Sequence, residues 1–276
     1  MTDLARTMHA TLAAAAARFA SPTARLDAEL LMAHALGTER TQLLLDPARV
    51  VPPGFAALVE RRAAHEPVAY ITGRRGFWTI ELAVGPGVLV PRPDSETLLT
   101  AALARGATPR TILDLGTGPG TLLLAALDEW PQARGLGIDR SPVALDYARA
   151  NAARLGLASR AGFVRGDWAA AVDAAFDLVL ANPPYIGSDE PLPDEVRAHE
   201  PAAALFAGAD GLDDYRILAR QLPRLIAARG CAAVEIGHRQ AAAVAALFAA
   251  AGLTATLHRD LGGRDRCLLV EQDAAA

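Results

Sequence analysis

From Arg110 to the carboxyl end, short apolar runs alternate with amphipathic ones, and no other feature constrains the fold as much. The runs Thr111–Leu115, Gly135–Asp139, Gly162–Gly166, Asp177–Ala181, Cys231–Ile236, Thr254–His258 and Cys267–Glu271 have the length and composition of strands. Between them, Thr121–Glu129, Pro142–Leu155, Asp213–Ala228 and Arg239–Ala251 read as helices. Strands separated by helices return to one sheet as parallel neighbours. The pattern therefore predicts an α/β fold with a mainly parallel, seven-stranded sheet covered by helices on both faces. Ligands of such open sheets bind beyond the carboxyl ends of the strands.

The first strand runs into Gly116-Thr117-Gly118-Pro119-Gly120 and then a helix. Glycines let a backbone pass close beneath a bound nucleotide, and a helix N-terminus adds N–H groups. The third glycine falls one position too early for a dinucleotide fingerprint. Leu136-Gly137-Ile138-Asp139 ends the second strand in a carboxylate, where both hydroxyls of a ribose can donate to it. Asp167-Trp168 ends the third strand at the position expected for an adenine ring. Each has an ordinary alternative: a tight turn, an N-cap at Asp139, a core tryptophan. Their recurrence at successive strand ends favours a nucleoside-bearing cofactor.

The fourth strand stops in Asn182-Pro183-Pro184-Tyr185-Ile186. This segment offers a side-chain amide, carbonyls whose neighbouring N–H groups are missing, and an aromatic face. Such groups can grip a planar group bearing NH2, although a strand-ending turn with a solvent-facing Tyr185 would use the same residues. Taken with the glycine loop and Asp139, the segment points to a Rossmann-like, S-adenosylmethionine-dependent methyltransferase.

Composition narrows the alternatives. A net charge of −4 and a pI near 5.9 argue against a general nucleic-acid coat, which needs a basic excess. Cys231 and Cys267 lie in separate apolar runs without metal-ligand spacing, so neither a disulfide nor a zinc site is expected, and a reducing cytoplasm is. Leu12–Ala17 faintly imitates a signal peptide. Alanine is only weakly apolar, however, and Asp3 falls in the would-be charged leader. No run has the length of a membrane span, and Ala241–Ala251 places Val244, Leu247, Phe248 and Ala251 on one helical face.

Residues 1–66 have a helical pattern. Ser21-Pro22 reads as an N-cap and first helical position, Gly37 as a C-terminal stop, Thr41–Leu45 as a short segment ended near Pro47, and Gly54–His65 as a third helix. The bundle has no cofactor motif. Binding of a macromolecular substrate is the favoured reading, and a stabilising cap the plainer one. Residues 67–93 read as a β-hairpin linker, with Val68-Ala69-Tyr70-Ile71 as strand, Gly73 and Gly76 at the turn, and Phe77–Val84 as the return. Arg92-Pro93-Asp94-Ser95-Glu96 opens the third segment, residues 94–276; helix capping accounts for Asp94 and Ser95 but not for Arg92 or Glu96.

With these residues in hand, the chain resembles the PrmC/HemK family of glutamine methyltransferases that modify peptide chain release factors. The resemblance rests on Pro67–Gly73, Phe77-Trp78, Val90–Glu96, Asn182–Ile186, Glu200-Pro201, Gly208–Leu212, Glu235–Gly237 and Asp260–Arg266, in order and spacing, and covers essentially the whole chain. It implies that residues 1–66 bind the release factor, and that class I release factors are the protein substrate. It implies transfer of methyl from S-adenosylmethionine to the glutamine amide of their Gly-Gly-Gln motif, in support of translation termination, with no metal. Membrane and direct nucleic-acid partners are not expected. Cofactor contacts would fall on Gly116, Thr117, Gly118, Pro119, Gly120, Asp139, Trp168 and Asn182, and the glutamine clamp on Asn182, Pro183, Pro184 and Tyr185. Pro119 departs from the family's usual small polar residue and removes a backbone donor; Ser95 stands for the usual threonine.

Two other functions remain open to the sequence. Asn182–Tyr185 would also suit an exocyclic base nitrogen of DNA or RNA stacked on Tyr185, but the acidic pI and the missing basic recognition segment oppose this. The other is a non-catalytic cofactor-binding protein, which the presence of Asn182 and Tyr185 opposes.

Overall fold

Gly37 and Gly73, at φ +63° and +72°, end helices in a backbone region that only glycine enters at little cost. They help divide the amino-terminal chain into α1 (Asp3–Ala16), α2 (Ala24–Ala35), α3 (Arg40–Leu45), α4 (Phe55–Ala63) and α5 (Val68–Thr72). The structure is a computed structural model that describes residues 3–46, 48–106 and 108–273, so the expected stop at Pro47 lies outside the described residues. The chain forms two compact units, the first being Met1–Arg74 together with Leu192–Glu200.

The first unit is built on Met8, Leu12, Leu31, Met32, Leu43, Phe55 and Val59, all buried. At Arg62, Nε donates to Asp27 Oδ2 at 2.9 Å and Nη1 to Glu195 Oε2 at 2.7 Å, so a buried cation is held by two carboxylates. Two expectations are corrected here. The residue that caps α2 is Thr23 and not Ser21, and its hydroxyl donates to the Asp27 carboxylate at 3.0 Å. Val68-Ala69-Tyr70-Ile71 is helix and not strand: Tyr70 and Ile71 donate to the Pro67 carbonyl at 2.9 and 3.0 Å. The same carbonyl accepting from residues three and four positions on is a helical turn, which no strand makes, and Gly73 ends it at φ +72°.

The second unit, Arg75–Pro191 with Pro201–Ala276, contains the long sheet. The hairpin is β1 (Arg74–Phe77) with β2 (Ile80–Ala83), followed by a turn of 3-10 helix at Pro93–Ser95 and by α6 (Glu96–Ala104). Next come β3 (Thr111–Leu115), α7 (Thr121–Glu129), β4 (Arg134–Asp139), α8 (Pro142–Arg154), β5 (Ala161–Arg165) and β6 (Phe176–Ala181). After α9 (Asp194–His199) follow α10 (Asp213–Leu225), β7 (Ile226–Glu235), α11 (Ala241–Ala249), β8 (Leu253–Arg259) and β9 (Asp265–Gln272).

The order across the sheet is β5-β4-β3-β6-β7-β9-β8, seven strands, parallel except for β9. The helix expected at Asp213–Ala228 stops at Leu225, because Ile226 already pairs with Phe176. Ile112, Leu113, Asp114 and Leu115 are all buried, as a strand covered on both faces requires. Leu113, Leu115, Val179 and Ala181 share a core with Tyr215, Leu218 and Leu222 of α10. Each large apolar side chain so buried contributes roughly 1.5–3 kcal/mol.

Candidate active site

Strand register aligns the residues at the sheet's carboxyl edge. Leu115 pairs with Ile138 on one side and with Ala181 on the other, so Gly116, Asp139 and Asn182 each stand one residue beyond the same row. After β3 the chain moves outward to β4 and β5, then returns to β3's other side as β6. Such a reversal opens a crevice between the strand ends. Gly116, Gly118, Asp139, Trp168, Asn182 and Pro184 line a single cleft there, with Val88, Leu89, Ser141, Asp167 and Asp214.

The glycine loop works by shape. Gly116 and Thr117 both donate to the Ile138 carbonyl at 2.9 Å, Gly118 to Asp139 Oδ2 at 2.9 Å, and Gly120 to the Thr117 carbonyl at 2.9 Å. Pro119 has no N–H, so every backbone donor from Gly116 to Gly120 is already engaged. The loop's own N–H groups are therefore spent inside the protein. What the loop provides is close approach: Gly116, Gly118 and Gly120 have φ of +71°, +56° and +86°, and a Cβ on Gly116 would lie 3.6 Å from the Trp168 ring. Thr117 is turned inward, its hydroxyl donating to Asp114 Oδ2 at 2.6 Å, and Pro119 and Gly120 are buried behind the loop. Asn151, itself fully buried, clasps the loop from behind by donating to the Pro119 carbonyl at 2.9 Å.

Asp139 accepts from Gly118 with one oxygen and from the Ser141 N–H, at 2.8 Å, with the other. It does not cap α8; Ser141 does, accepting from Ala144. Both Asp139 oxygens keep lone pairs for further donors. Trp168 sits at φ +48°, a conformation costly for a bulky residue, and its indole N–H donates to Asp214 Oδ1 at 3.1 Å. Burial raises the Asp214 carboxyl above its ordinary range, against the pull of that hydrogen bond. Beneath the loop, burial also pushes Asp114 up to about 7, and its Oδ1 has no hydrogen-bond partner.

On the other wall, Asn182 Nδ2 donates to the Ser95 hydroxyl at 3.2 Å, leaving the carboxamide oxygen as the remaining end. Pro183 is buried, and neither it nor Tyr185 lies on the cleft wall with Asn182 and Pro184. The Tyr185 carbonyl accepts from Gln240 Nε2 at 2.9 Å, and burial pushes the Tyr185 phenol up to about 12. The motif residues downstream support this bend. Gly211 has φ +70°, and a Cβ there would collide with the Tyr185 carbonyl oxygen; a Cβ on Gly237 would reach 3.4 Å from the Tyr185 ring.

Sequence reasoning missed Asn151 and Asp214 as contributors, and read Ser95 only as a cap. Asp214 follows Asp213 in the first turn of α10, where helix-dipole pairing hides any other role. Glu96, unexplained before, accepts from the Trp78 N–H at 2.9 Å and so holds the hairpin turn.

Two protein-family models match the chain: the PrmC N-terminal domain over residues 9–73 and a methyltransferase domain over residues 109–222. The chain is 50% identical over 260 residues to the release factor glutamine methyltransferase of Rhodospirillum rubrum, covering 91% of this chain and 80% of that protein. It is 46% identical over 256 residues to the protein of the same name from Caulobacter vibrioides, covering 88% of each. Among solved structures, a methyltransferase from Pyrococcus furiosus aligns with a TM-score of 0.51 at 17% identity, over 68% of this chain and 86% of that one, a likeness of fold.

Proposed function

The chain belongs to the family of release factor glutamine methyltransferases, and from that we propose that the cleft of its second unit seats the methyl donor while Asn182–Tyr185 hold the glutamine. The enzyme transfers a methyl group from S-adenosylmethionine to a glutamine side-chain amide of a release factor. The finer assignment is ours: the glutamine of the Gly-Gly-Gln motif in class I release factors.

The residues present suit the donor. Gly116 lacks the Cβ that would narrow the space before Trp168, Asp139 retains acceptor capacity for a ribose diol, and Trp168 offers a flat face beside Asp214. When bound, S-adenosylmethionine supplies a methyl group already activated on a sulfonium. The nucleophile is the weak partner, since the amide nitrogen's lone pair is delocalised into its carbonyl, so positioning dominates the rate. Asn182 Oδ1 and the Pro183 carbonyl would accept the two amide N–H bonds, orient the nitrogen and stabilise positive charge developing on it. Tyr185 would pack over the amide plane.

One observation carries the reading. Asn182 stands in the same edge row as Gly116 and Asp139, so a group gripped there is adjacent to whatever the glycine loop seats. The helical unit is assigned to release-factor binding, supported by the family match over residues 9–73, which runs past the expected boundary at 66 and takes in α5; of the expected linker 67–93, Val88 and Leu89 line the cleft and go with the catalytic segment 94–276. A cytoplasmic location fits two buried cysteines that form no disulfide, and among the described residues no helix is long and apolar enough to cross a membrane. Direct nucleic-acid binding is not part of the proposal, in keeping with the net charge of −4.

The test is mass spectrometry of a class I release factor incubated with the enzyme and S-adenosylmethionine. The expected product carries one added methyl on the Gly-Gly-Gln glutamine. Methyl transfer to nucleic acid instead would overturn the reading.

A further inference from the structure

Trp168 holds its φ of +48° on the wall of the cleft, and a bulky residue keeps such a conformation only where its surroundings over-determine it. The surroundings that do so belong to α10. Asp214 Oδ1 accepts from the indole N–H at 3.1 Å. Further along the helix, Gln221 Oε1 accepts from the Ala169 N–H at 2.9 Å. Arg224 then donates to the carbonyls of Ala169, at 2.6 Å, and of Val172. Positions 214, 221 and 224 are spaced so that all three lie along one side of α10. Gln221 and Arg224 hold the backbone of the segment. Asp214 is the one of the three that holds a side chain, and the one that lines the cleft.

The indole is fixed at opposite edges. Its N–H is tied to α10, while its benzo edge faces the glycine loop, with Cζ3 and Cη2 at 3.6 and 3.7 Å from where a Cβ would stand on Gly116. A flat ring held at two edges has a set plane. Trp168 is half-buried, so without Asp214 its N–H would be left to water, which accepts from it in many orientations. Helix-dipole pairing does not account for this acid. Its neighbour Asp213 is exposed and pairs with Arg216 at 2.8 Å, whereas Asp214 is half-buried and turned to the indole.

We propose that Asp214 is a positioning residue for the methyl donor: by accepting the indole N–H it presets the plane of Trp168 that the donor's adenine would meet. The inference rests on the reading of the cleft as the donor's seat. A platform ordered before binding has no side-chain freedom left to lose when its ligand arrives, and that saving appears as affinity. A carboxylate suits the task, since an ionised acceptor makes a shorter and stronger hydrogen bond than a neutral one.

The experiment compares full-length wild type with Asp214→Ala, Asp214→Asn, Trp168→Phe and the double variant carrying Asp214→Ala and Trp168→Phe. The measurements are NMR of the indole N–H signals in donor-free protein, titration calorimetry with S-adenosylmethionine, and methylation kinetics on a class I release factor. The chain has three tryptophans, and the signal missing from Trp168→Phe identifies Trp168. In the wild type that N–H should exchange slowly with water. Asp214→Ala should speed its exchange and raise the Kd for S-adenosylmethionine about tenfold, with kcat at saturating donor within about twofold of wild type. Asp214→Asn keeps an accepting oxygen and should hold the Kd within about threefold of wild type. Because Asp214 acts through the indole, adding Asp214→Ala to Trp168→Phe should change the Kd by less than about twofold.

A wild type that binds no S-adenosylmethionine would overturn the reading of the cleft, and the proposal with it. Where the wild type binds, an unchanged Kd in Asp214→Ala would overturn the proposal alone. So would a tenfold loss on adding Asp214→Ala to Trp168→Phe, since the carboxylate would then be touching the donor directly.

Discussion

The Asp139 carboxylate accepts the Gly118 N–H at 2.9 Å, so the acid proposed to hold the ribose also fixes the glycine loop that lies beside it. Removing the side chain should damage the donor's seat twice over. Asp139→Ala is expected to raise the Kd for S-adenosylmethionine roughly 10–100-fold, the loss of one or two hydrogen bonds to a charged group. Asp139→Asn keeps one acceptor oxygen and should fall between. Isothermal titration calorimetry checks both, and unaltered affinity in Asp139→Ala would show that the carboxylate serves the loop alone.

Asn182→Ala leaves the glycine loop and Asp139 in place while removing an acceptor for the substrate nitrogen. Turnover should drop about 10²–10³-fold, as when one preorganised polar group is lost from a site of developing charge, with donor affinity within about twofold of wild type. Steady-state kinetics alongside calorimetry separates the two quantities. A near-normal kcat would remove Asn182 from the clamp.

Gly211→Ala tests the backing of the clamp without touching the cleft. Its Cβ would collide with the Tyr185 carbonyl oxygen and approach Gln240 Nε2 to 2.9 Å, at a φ of +70° that alanine resists. The expected result is destabilisation of about 1–3 kcal/mol in urea unfolding, together with a kcat reduced more than donor affinity.

In the helical unit, Arg62→Ala would leave Asp27 buried without its cation. Loss of about 3–5 kcal/mol is expected for an uncompensated buried charge. Arg62→Ala with Asp27→Asn should recover part of it, which chemical denaturation of the double mutant will measure.

Stability should also depend on pH. Burial raises Asp114 and Glu235 from ordinary values of 3.8 and 4.5 to about 7 each. The folded protein therefore keeps two protons that the unfolded chain has released in that interval. Stability is favoured at the acid end and falls as pH rises from about 4.5 to about 7. Urea midpoints measured across the range should decline, and Asp114→Asn should flatten part of the slope.

The strands and the edge-row residues were legible because parallel strands buried on both faces write themselves as short apolar runs. Gly116, Asp139 and Asn182 each follow such a run directly. Val68–Ile71 misled because its residues have strand propensity while its Ile71 packs into the core of the helical bundle, a tertiary context that overrides the local preference. Glu235 and Arg266 could not be linked from sequence, since the β7-β9 pairing that brings them to 3.9 Å is a property of the sheet. The engaged N–H groups of the glycine loop were equally hidden. The sequence displays the glycines, but not that Ile138 and Asp139 already accept from them.

The register that pairs Leu115 with both Ile138 and Ala181 has a consequence for altering the enzyme. The seat proposed for the donor and the grip proposed for the acceptor are mounted on different strands, and their alignment is set by backbone pairing beneath them. Of the segment after Ala181, Pro183 is buried and the position-185 carbonyl is tied to Gln240, while Asn182 and Pro184 face the cleft. Replacements at 182 and 184 that preserve the ladder and the Gln240 bond to position 185 should therefore change which acceptor is methylated without rebuilding the rest of the catalyst.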